Sequence, residues 1–222
     1  MSYAAQVVAF ALSLSVVFTT SPLAAQDTDQ INPGDRTIGV WVGASFYAPS
    51  TVFLGHTPDR HLFLVGARGE WALRTVRSFT LMATVDVLPF AMVTNNPTYR
   101  VVEYKPTANE TTTIKERTGS APVYGAGLSP IGLELLGPRV GAARLYVAAA
   151  GGGLWFTRET PEPNARRFNF TLEYGFGLRV PLRSGSSMTV GYKYHHLSNA
   201  WTAPRNPGLD GNVIYLGLVH SR

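Results

Sequence analysis

The clearest periodicity in the chain runs from Phe168 to Leu182. Phe168, Phe170, Leu172, Tyr174, Phe176, Leu178, Val180 and Leu182 alternate there with Asn169, Thr171, Glu173, Gly175, Gly177, Arg179 and Pro181. A period of two sustained over that length is a β-strand, longer than soluble strands usually are, with large apolar groups on one face and polar or very small groups on the other. Weaker alternation covers Thr37–Phe46, His61–Arg74, Phe79–Leu88, Val123–Leu135, Arg144–Phe156, Ser187–Ser198 and Asn212–His220, which makes eight predicted strands in all. An even number of such strands fits a closed ring, because closure removes the unpaired edges that hydrocarbon does not tolerate.

The connections between these runs alternate in length. Short links fall at Val76–Ser78, Gly137–Gly141 and Arg183–Ser186, and longer polar segments at Tyr47–Arg60, Val93–Ala121, Thr157–Arg167 and Asn199–Gly211. Outer-membrane barrels have short periplasmic turns and long outer loops. The sequence therefore predicts an all-β fold, an eight-stranded antiparallel transmembrane β-barrel of the outer-membrane type, with every long connection read as an outer loop.

Periodicity alone does not say which face looks outward, and a soluble lipid-binding barrel with the apolar face inside is the competing architecture. Two features favour the membrane. Glycines and charges of both signs (Arg68, Glu70, Asp86, Glu134, Glu173, Arg179 and Lys193) share the polar face, and aromatic residues gather near strand ends as interfacial girdles do. An eight-stranded ring is just wide enough inside to be filled by side chains, so these charges are expected to pair there as structural filler. The ending Leu218-Val219-His220-Ser221-Arg222 lacks the terminal aromatic common in outer-membrane proteins.

Residues 1–25 carry no charge, and Val7–Phe18 has the length of a signal-peptide apolar core, too short to cross a bilayer as a helix. Small residues follow in Ser21-Pro22-Leu23-Ala24-Ala25, so a cleaved signal peptide over 1–25 and a barrel domain over 26–222 are expected, although no Lys or Arg precedes the apolar core. The chain has no cysteine, which removes disulfides, a thiolate nucleophile and Cys-based metal sites. The net charge of +5 favours anionic partners. Export points to lipopolysaccharide phosphates and away from nucleic acid. Arg100, Lys105, Lys115, Arg117, Arg158, Arg166, Arg167 and Arg205 in the expected outer loops form a basic rim that is either simply solvated or in contact with those phosphates.

In the seventh run, Met188, Val190, Tyr192, Tyr194, His196 and Ser198 share the apolar face, while Thr189, Gly191, Lys193, His195 and Leu197 share the other. His196 and Ser198 thus project the same way at the outer edge, with Cα atoms roughly 6.6–7 Å apart. A serine hydroxyl becomes a useful nucleophile only when a base takes its proton, and the imidazole needs a third group to fix its tautomer. Asp210 has the parity of Ile214, Leu216 and Leu218 across the connecting loop and is a candidate for that group. His195 falls on the opposite face.

The segment Tyr194-His195-His196-Leu197-Ser198-Asn199-Ala200, followed by Asn206-Pro207-Gly208-Leu209-Asp210-Gly211, resembles the active-site region of the PagL-type lipid A 3-O-deacylases, also called the acyloxyacyl hydrolase family. The motif covers the last two strands, and the barrel organisation extends to the rest of the mature chain. The resemblance implies an esterase with a Ser-His-acid triad on the outer barrel surface: Ser198 as nucleophile, His196 as general base, Asp210 in the place of the family's usual glutamate, and Asn199 near the oxyanion. It implies hydrolysis of an ester-linked acyl chain of lipid A in the outer membrane, at the 3-position, with no cofactor or metal. Restoring glutamate at position 210 is on this reading expected to keep substantial activity. The alternative is a non-enzymatic small barrel with a structural or adhesive role. A homodimer is compatible with either.

Overall fold

A computed structural model of the protein describes residues 31–47, 54–55, 57–107, 110–182 and 185–221. The expected signal peptide lies outside the described residues. The elements are β1 (Arg36–Tyr47), β2 (Leu62–Val76), β3 (Phe79–Thr107), β4 (Glu110–Val140), β5 (Ala143–Thr160), β6 (Arg166–Pro181), β7 (Ser186–Ser198) and β8 (Leu209–Ser221). Each strand pairs antiparallel with the next, and β1 pairs with β8, from Thr37 opposite Ser221 to Tyr47 opposite Asn212, to close the ring.

Which face looks outward is decided by exposure. Ile38, Val40 and Val42 of β1, Leu133 and Leu135 of β4, Phe170, Leu172, Tyr174, Phe176 and Leu178 of β6, and Ile214, Leu216 and Leu218 of β8 are all exposed. An apolar belt of that kind, carried on strands that pair with their neighbours around a closed ring, is a surface for hydrocarbon. The soluble-barrel alternative requires the opposite arrangement. The apolar residues at the same heights would have to be inside.

The inward face holds the charges, and they are paired. Arg68 forks onto Asp86 at 2.9 and 2.7 Å and reaches Glu134 at 3.5 Å. Arg179 bridges Glu70 at 2.8 Å and Glu134 at 2.9 Å, and Lys193 meets Glu173 at 2.6 Å. Trp41 donates its indole N–H to Asp86 at 2.8 Å, and the Lys193 ammonium lies 3.7 Å from the centre of the same ring. Gly66 makes this possible, because a Cβ there would fall 2.3 Å from the indole. Toward the loop end the filling turns apolar, with Leu62, Leu64, Leu88, Val93, Val123, Leu154, Phe156, Leu197, Leu209 and Val213 in one packed cluster. The interior is a core of ion pairs under an apolar layer, and the charges are structural filler as expected.

Three tight connections share one end with the strand termini Arg36 and Ser221: the turns at Arg77–Ser78 and Gly141–Ala142, and the link from Leu182 to Ser186. The second lies later than the expected Gly137–Gly141 link, since β4 continues to Val140. Two of the expected long loops need larger corrections. Val93–Ala121 is mostly the continuation of β3 and β4, paired from Val93 opposite Val123 out to Thr107 opposite Glu110. Its polar composition suggested an irregular loop, but Thr98, Tyr99, Val101 and Val102 and, across from them, Thr112, Thr113 and Ile114 are residues that favour extended backbone whether or not lipid surrounds them. With 29 and 31 residues, β3 and β4 far exceed the roughly 9–11 that a crossing needs. Likewise β5 runs to Thr160 and β6 starts at Arg166, so Thr157–Arg167 shortens to 161–165.

Candidate active site

The site sits where β7 and β8 leave the apolar belt at the loop end. Antiparallel register places His196 directly opposite Asp210 and, on the other side, Leu172. Directly opposed residues on one face have Cβ atoms about 4.5–5.5 Å apart. A short carboxylate therefore reaches the imidazole, and Asp210 Oδ1 lies 2.6 Å from His196 Nδ1. The aspartate needs no extra methylene, because the register already supplies the proximity.

Asp210 has the outward parity of Ile214 and Leu216, yet it is only 2% exposed, against 49% and 44% for those two. The first outer loop covers it. Leu54 and Gly55 donate their backbone N–H groups to Asp210 Oδ2 at 3.1 and 2.9 Å, and Thr57 donates its hydroxyl to the Gly208 carbonyl at 2.6 Å. Three donors thus meet the two carboxylate oxygens, which suits an ionised, acceptor-only acid. Gly208 adopts φ +64°, and a Cβ there would lie 3.0 Å from Gly55 Cα and 3.1 Å from His196 Cε1. Glycine is required by both the left-handed backbone and the closeness of the ring.

Ser198 follows His196 by two residues on the same face of β7 and pairs with Phe170 of β6. Among the described residues neither the Ser198 hydroxyl nor His196 Nε2 has a hydrogen-bond partner, so both are available to a reacting group. The arrangement gives a hydroxyl, an imidazole with one nitrogen fixed by a buried carboxylate, and a lipid-side approach to both. Nucleophile-to-base contacts are often loose in an unliganded site and tighten with substrate. Next to Ser198, Phe170 packs edge-on against Phe168 at 5.0 Å between ring centres, and Phe168 lies 6.3 Å from Trp155. These aromatics line the surface a neighbouring acyl chain would meet.

The structure brings His196, Ser198 and Asp210 to one corner of the outer wall. It separates His195, which is fully buried on the inward face with Nδ1 3.4 Å from Glu173 Oε1. Asn199 is also turned away from the outer surface. It is 1% exposed, its Nδ2 donates to the Arg205 carbonyl at 2.7 Å, its backbone N–H donates to Asn206 Oδ1 at 2.9 Å, and its carbonyl accepts from the Thr202 hydroxyl at 2.7 Å. Its visible work is to pin the loop between β7 and β8. Of the basic rim, Arg166 donates to the Thr202 carbonyl, Arg158 donates to the carbonyls of Ala121 and Pro122, and Lys115 pairs with Glu159 at 2.9 Å. Those three tie outer segments to one another. Among the described residues, no group of three or more His, Asp or Glu side chains is arranged to hold a metal ion.

Sequence reasoning missed Leu54, Gly55 and Thr57. Backbone N–H donors carry no side-chain signature, and the first loop is remote in sequence from the motif.

A family model described as lipid A 3-O-deacylase (PagL) matches residues 94–219, more than half of the chain. The crystal structure of the outer membrane enzyme PagL is similar in fold, with 14% identity, coverage of 82% of this chain and 97% of that one, and a TM-score of 0.53. The outer membrane protein OprG from Pseudomonas aeruginosa is 12% identical, covering 86% of this chain and 96% of that one, with a TM-score of 0.45. Ail, the attachment invasion locus protein of Yersinia pestis, solved with a heparin analogue, is 12% identical over 86% of this chain and 100% of that one, with a TM-score of 0.44. No curated protein matches the sequence.

Proposed function

The chain belongs to the lipid A 3-O-deacylase (PagL) family, and from that premise we propose that it is an outer-membrane esterase that removes the 3-O-linked acyl chain of lipid A through Ser198, His196 and Asp210. The ester of an outer-leaflet lipid A lies at the boundary between hydrocarbon and sugar. The end of β7, above the apolar belt, is at that boundary, so the barrel wall provides proximity without a deep pocket.

His196 Nε2 takes the Ser198 proton as the hydroxyl oxygen attacks the ester carbonyl. The tetrahedral intermediate collapses with departure of the sugar oxygen, which receives that proton from His196, and leaves an acyl-serine. Water, deprotonated by the same nitrogen, attacks the acyl-serine and releases the fatty acid. Asp210 holds Nδ1–H throughout and stabilises the imidazolium. Asn199 holds the β7–β8 loop beside the nucleophile through its bonds to Arg205, Asn206 and Thr202. The observation that carries this reading is the 2.6 Å contact between His196 Nδ1 and a covered Asp210, two residues from a serine on the same outward face of β7.

The test is mass spectrometry of lipid A from a host that expresses the full chain. Loss of one hydroxyacyl group, located at the 3-position by fragmentation and absent with Ser198→Ala, is the expected result. Unchanged lipid A beside a correctly folded barrel would overturn the reading in favour of a structural or adhesive barrel.

A further inference from the structure

The acid of the site is held by a segment that the reaction scheme does not use. Leu54 and Gly55 lie between β1 and β2, far in sequence from the β7–β8 motif, yet their N–H groups take up Asp210 Oδ2, the oxygen not turned toward His196. Thr57 fixes the same loop to the Gly208 carbonyl at 2.6 Å. Gly208 in turn lies against the imidazole, with a built Cβ 3.1 Å from His196 Cε1. The fit at Gly55 is close: a Cβ there would meet Asp210 Oδ1 at 2.9 Å, the Asp210 nitrogen at 3.0 Å and the Gly208 carbonyl carbon at 3.0 Å.

We propose that the first outer loop is a positioning clamp for the acid and the base, with Gly55 and Thr57 as positioning residues that act through Asp210 and His196. This inference rests on the esterase reading above. Its physical content is that a carboxylate at the outer wall, with only one oxygen engaged by the imidazole, is free to rotate about its last bond and so to shift the imidazole. Two backbone donors on the second oxygen remove that freedom. They belong to the backbone and carry no charge, so they add no second titrating group to the corner. The clamp also excludes any side chain at position 55, because the space a methyl would occupy is already that of the carboxylate and the Gly208 backbone.

The experiment is a double-mutant cycle on the full-length barrel in detergent-lipid micelles, with lipopolysaccharide as substrate and heat-modifiable gel migration as the check of folding. Gly55→Ala is expected to lower kcat by about 100-fold, the scale of a misplacement of about an ångström, with KM within about threefold of wild type. In an Asp210→Asn background the same change is expected to cost less than about threefold, because the group it acts through is already disabled. Equal losses in both backgrounds, or a wild-type rate for Gly55→Ala, would overturn the clamp. Should Gly55→Ala not assemble, Thr57→Val, which keeps the side-chain shape and deletes the bond to Gly208, is read in the same cycle with an expected loss of about tenfold. The esterase reading fails separately, through a wild-type chain that releases no fatty acid. The clamp is then judged by the low-field NMR proton of His196 Nδ1–H: its loss or shift in Gly55→Ala supports the clamp, and an unmoved signal overturns it.

Discussion

Replacing Asp210 by glutamate restores the acid usual in the family, and the sequence alone leads one to expect a tolerant site. The geometry of the corner argues for a lower rate instead. His196 and Asp210 are directly opposed, and Oδ1 is already 2.6 Å from Nδ1. Oδ2 is held at 2.9 and 3.1 Å by two backbone amides. One more carbon–carbon bond carries the carboxylate about 1.5 Å further. There is no slack on either side to receive it, because contacts of 2.6–3.1 Å are at hydrogen-bond length. Either the first loop lifts or the imidazole turns, and both displace the base by about an ångström. A displacement of that size costs on the order of 100-fold in rate, or ~2.7 kcal/mol of transition-state stabilisation. Asp210→Asn keeps the shape but disfavours the required tautomer and leaves the imidazolium without its counter-charge, for which about 10⁴-fold is the appropriate scale. Initial rates of fatty-acid release from lipopolysaccharide, with KM measured separately, are the assay. The expected order is wild type, then Asp210→Glu, then Asp210→Asn, with KM nearly constant. An Asp210→Glu rate within about threefold of wild type would refute the argument that the register and the first loop leave room only for aspartate.

Other consequences follow from the same geometry. His195→Ala is expected to keep acyl release, because that ring lies inside the barrel beside Glu173, whereas His196→Ala abolishes it; equal loss in both would mean that the strand end is only structural. Arg179→Met leaves Glu70 and Glu134 without their shared partner and is expected to destabilise the barrel by about 3–5 kcal/mol, seen as a lower urea midpoint in lipid vesicles with the same initial rate for the folded fraction. A protease site inserted between β3 and β4, after Thr107, should be cut on intact cells and one inserted after Leu182, between β6 and β7, protected; the reverse would place the site in the wrong leaflet.

The strand count, the closed ring and the face on which each residue lies were legible because a period of two survives everywhere lipid meets the wall. Phe168–Leu182 is the strongest case: lipid dictates Phe170, Leu172 and Tyr174 outside, while the narrow interior dictates Thr171, Glu173 and Gly175 inside. Above the belt that rule ends. Residues 93–121 have no apolar alternation imposed by a membrane, so the extended hairpin there rests on β-propensity and cross-strand pairing, a weaker signal that polarity masked. Parity and motif singled out His196, Ser198 and Asp210, and the register and the contact between His196 and Asp210 bring these residues to one corner of the outer wall. The place of Asn199 near the oxyanion came from the resemblance; in the structure it is buried in the β7–β8 loop, bonded to Arg205, Asn206 and Thr202. Leu54 and Gly55 act through their N–H groups, which every non-proline residue has. No reading of side chains could single them out.

The covering of Asp210 connects these observations. A carboxylate on the outer wall of a barrel is costly where it faces hydrocarbon, and costlier still if its hydrogen bonds are incomplete. Water is the usual remedy, but water at this position would also reach the His196 ring and compete for its Nδ1 proton. The chain uses backbone instead. Its first loop supplies two N–H donors and leaves the acid 2% exposed, while the His196 side chain is 12% exposed. Glycine at 55 and 208 lets loop and wall approach to the distance such bonds require. The charges inside the barrel, at Arg68, Arg179 and Lys193, are paired with Asp86, Glu70 and Glu173, away from this corner. The outer wall is thereby free to carry a polar, tightly built site that the hydrocarbon belt alone would not accommodate.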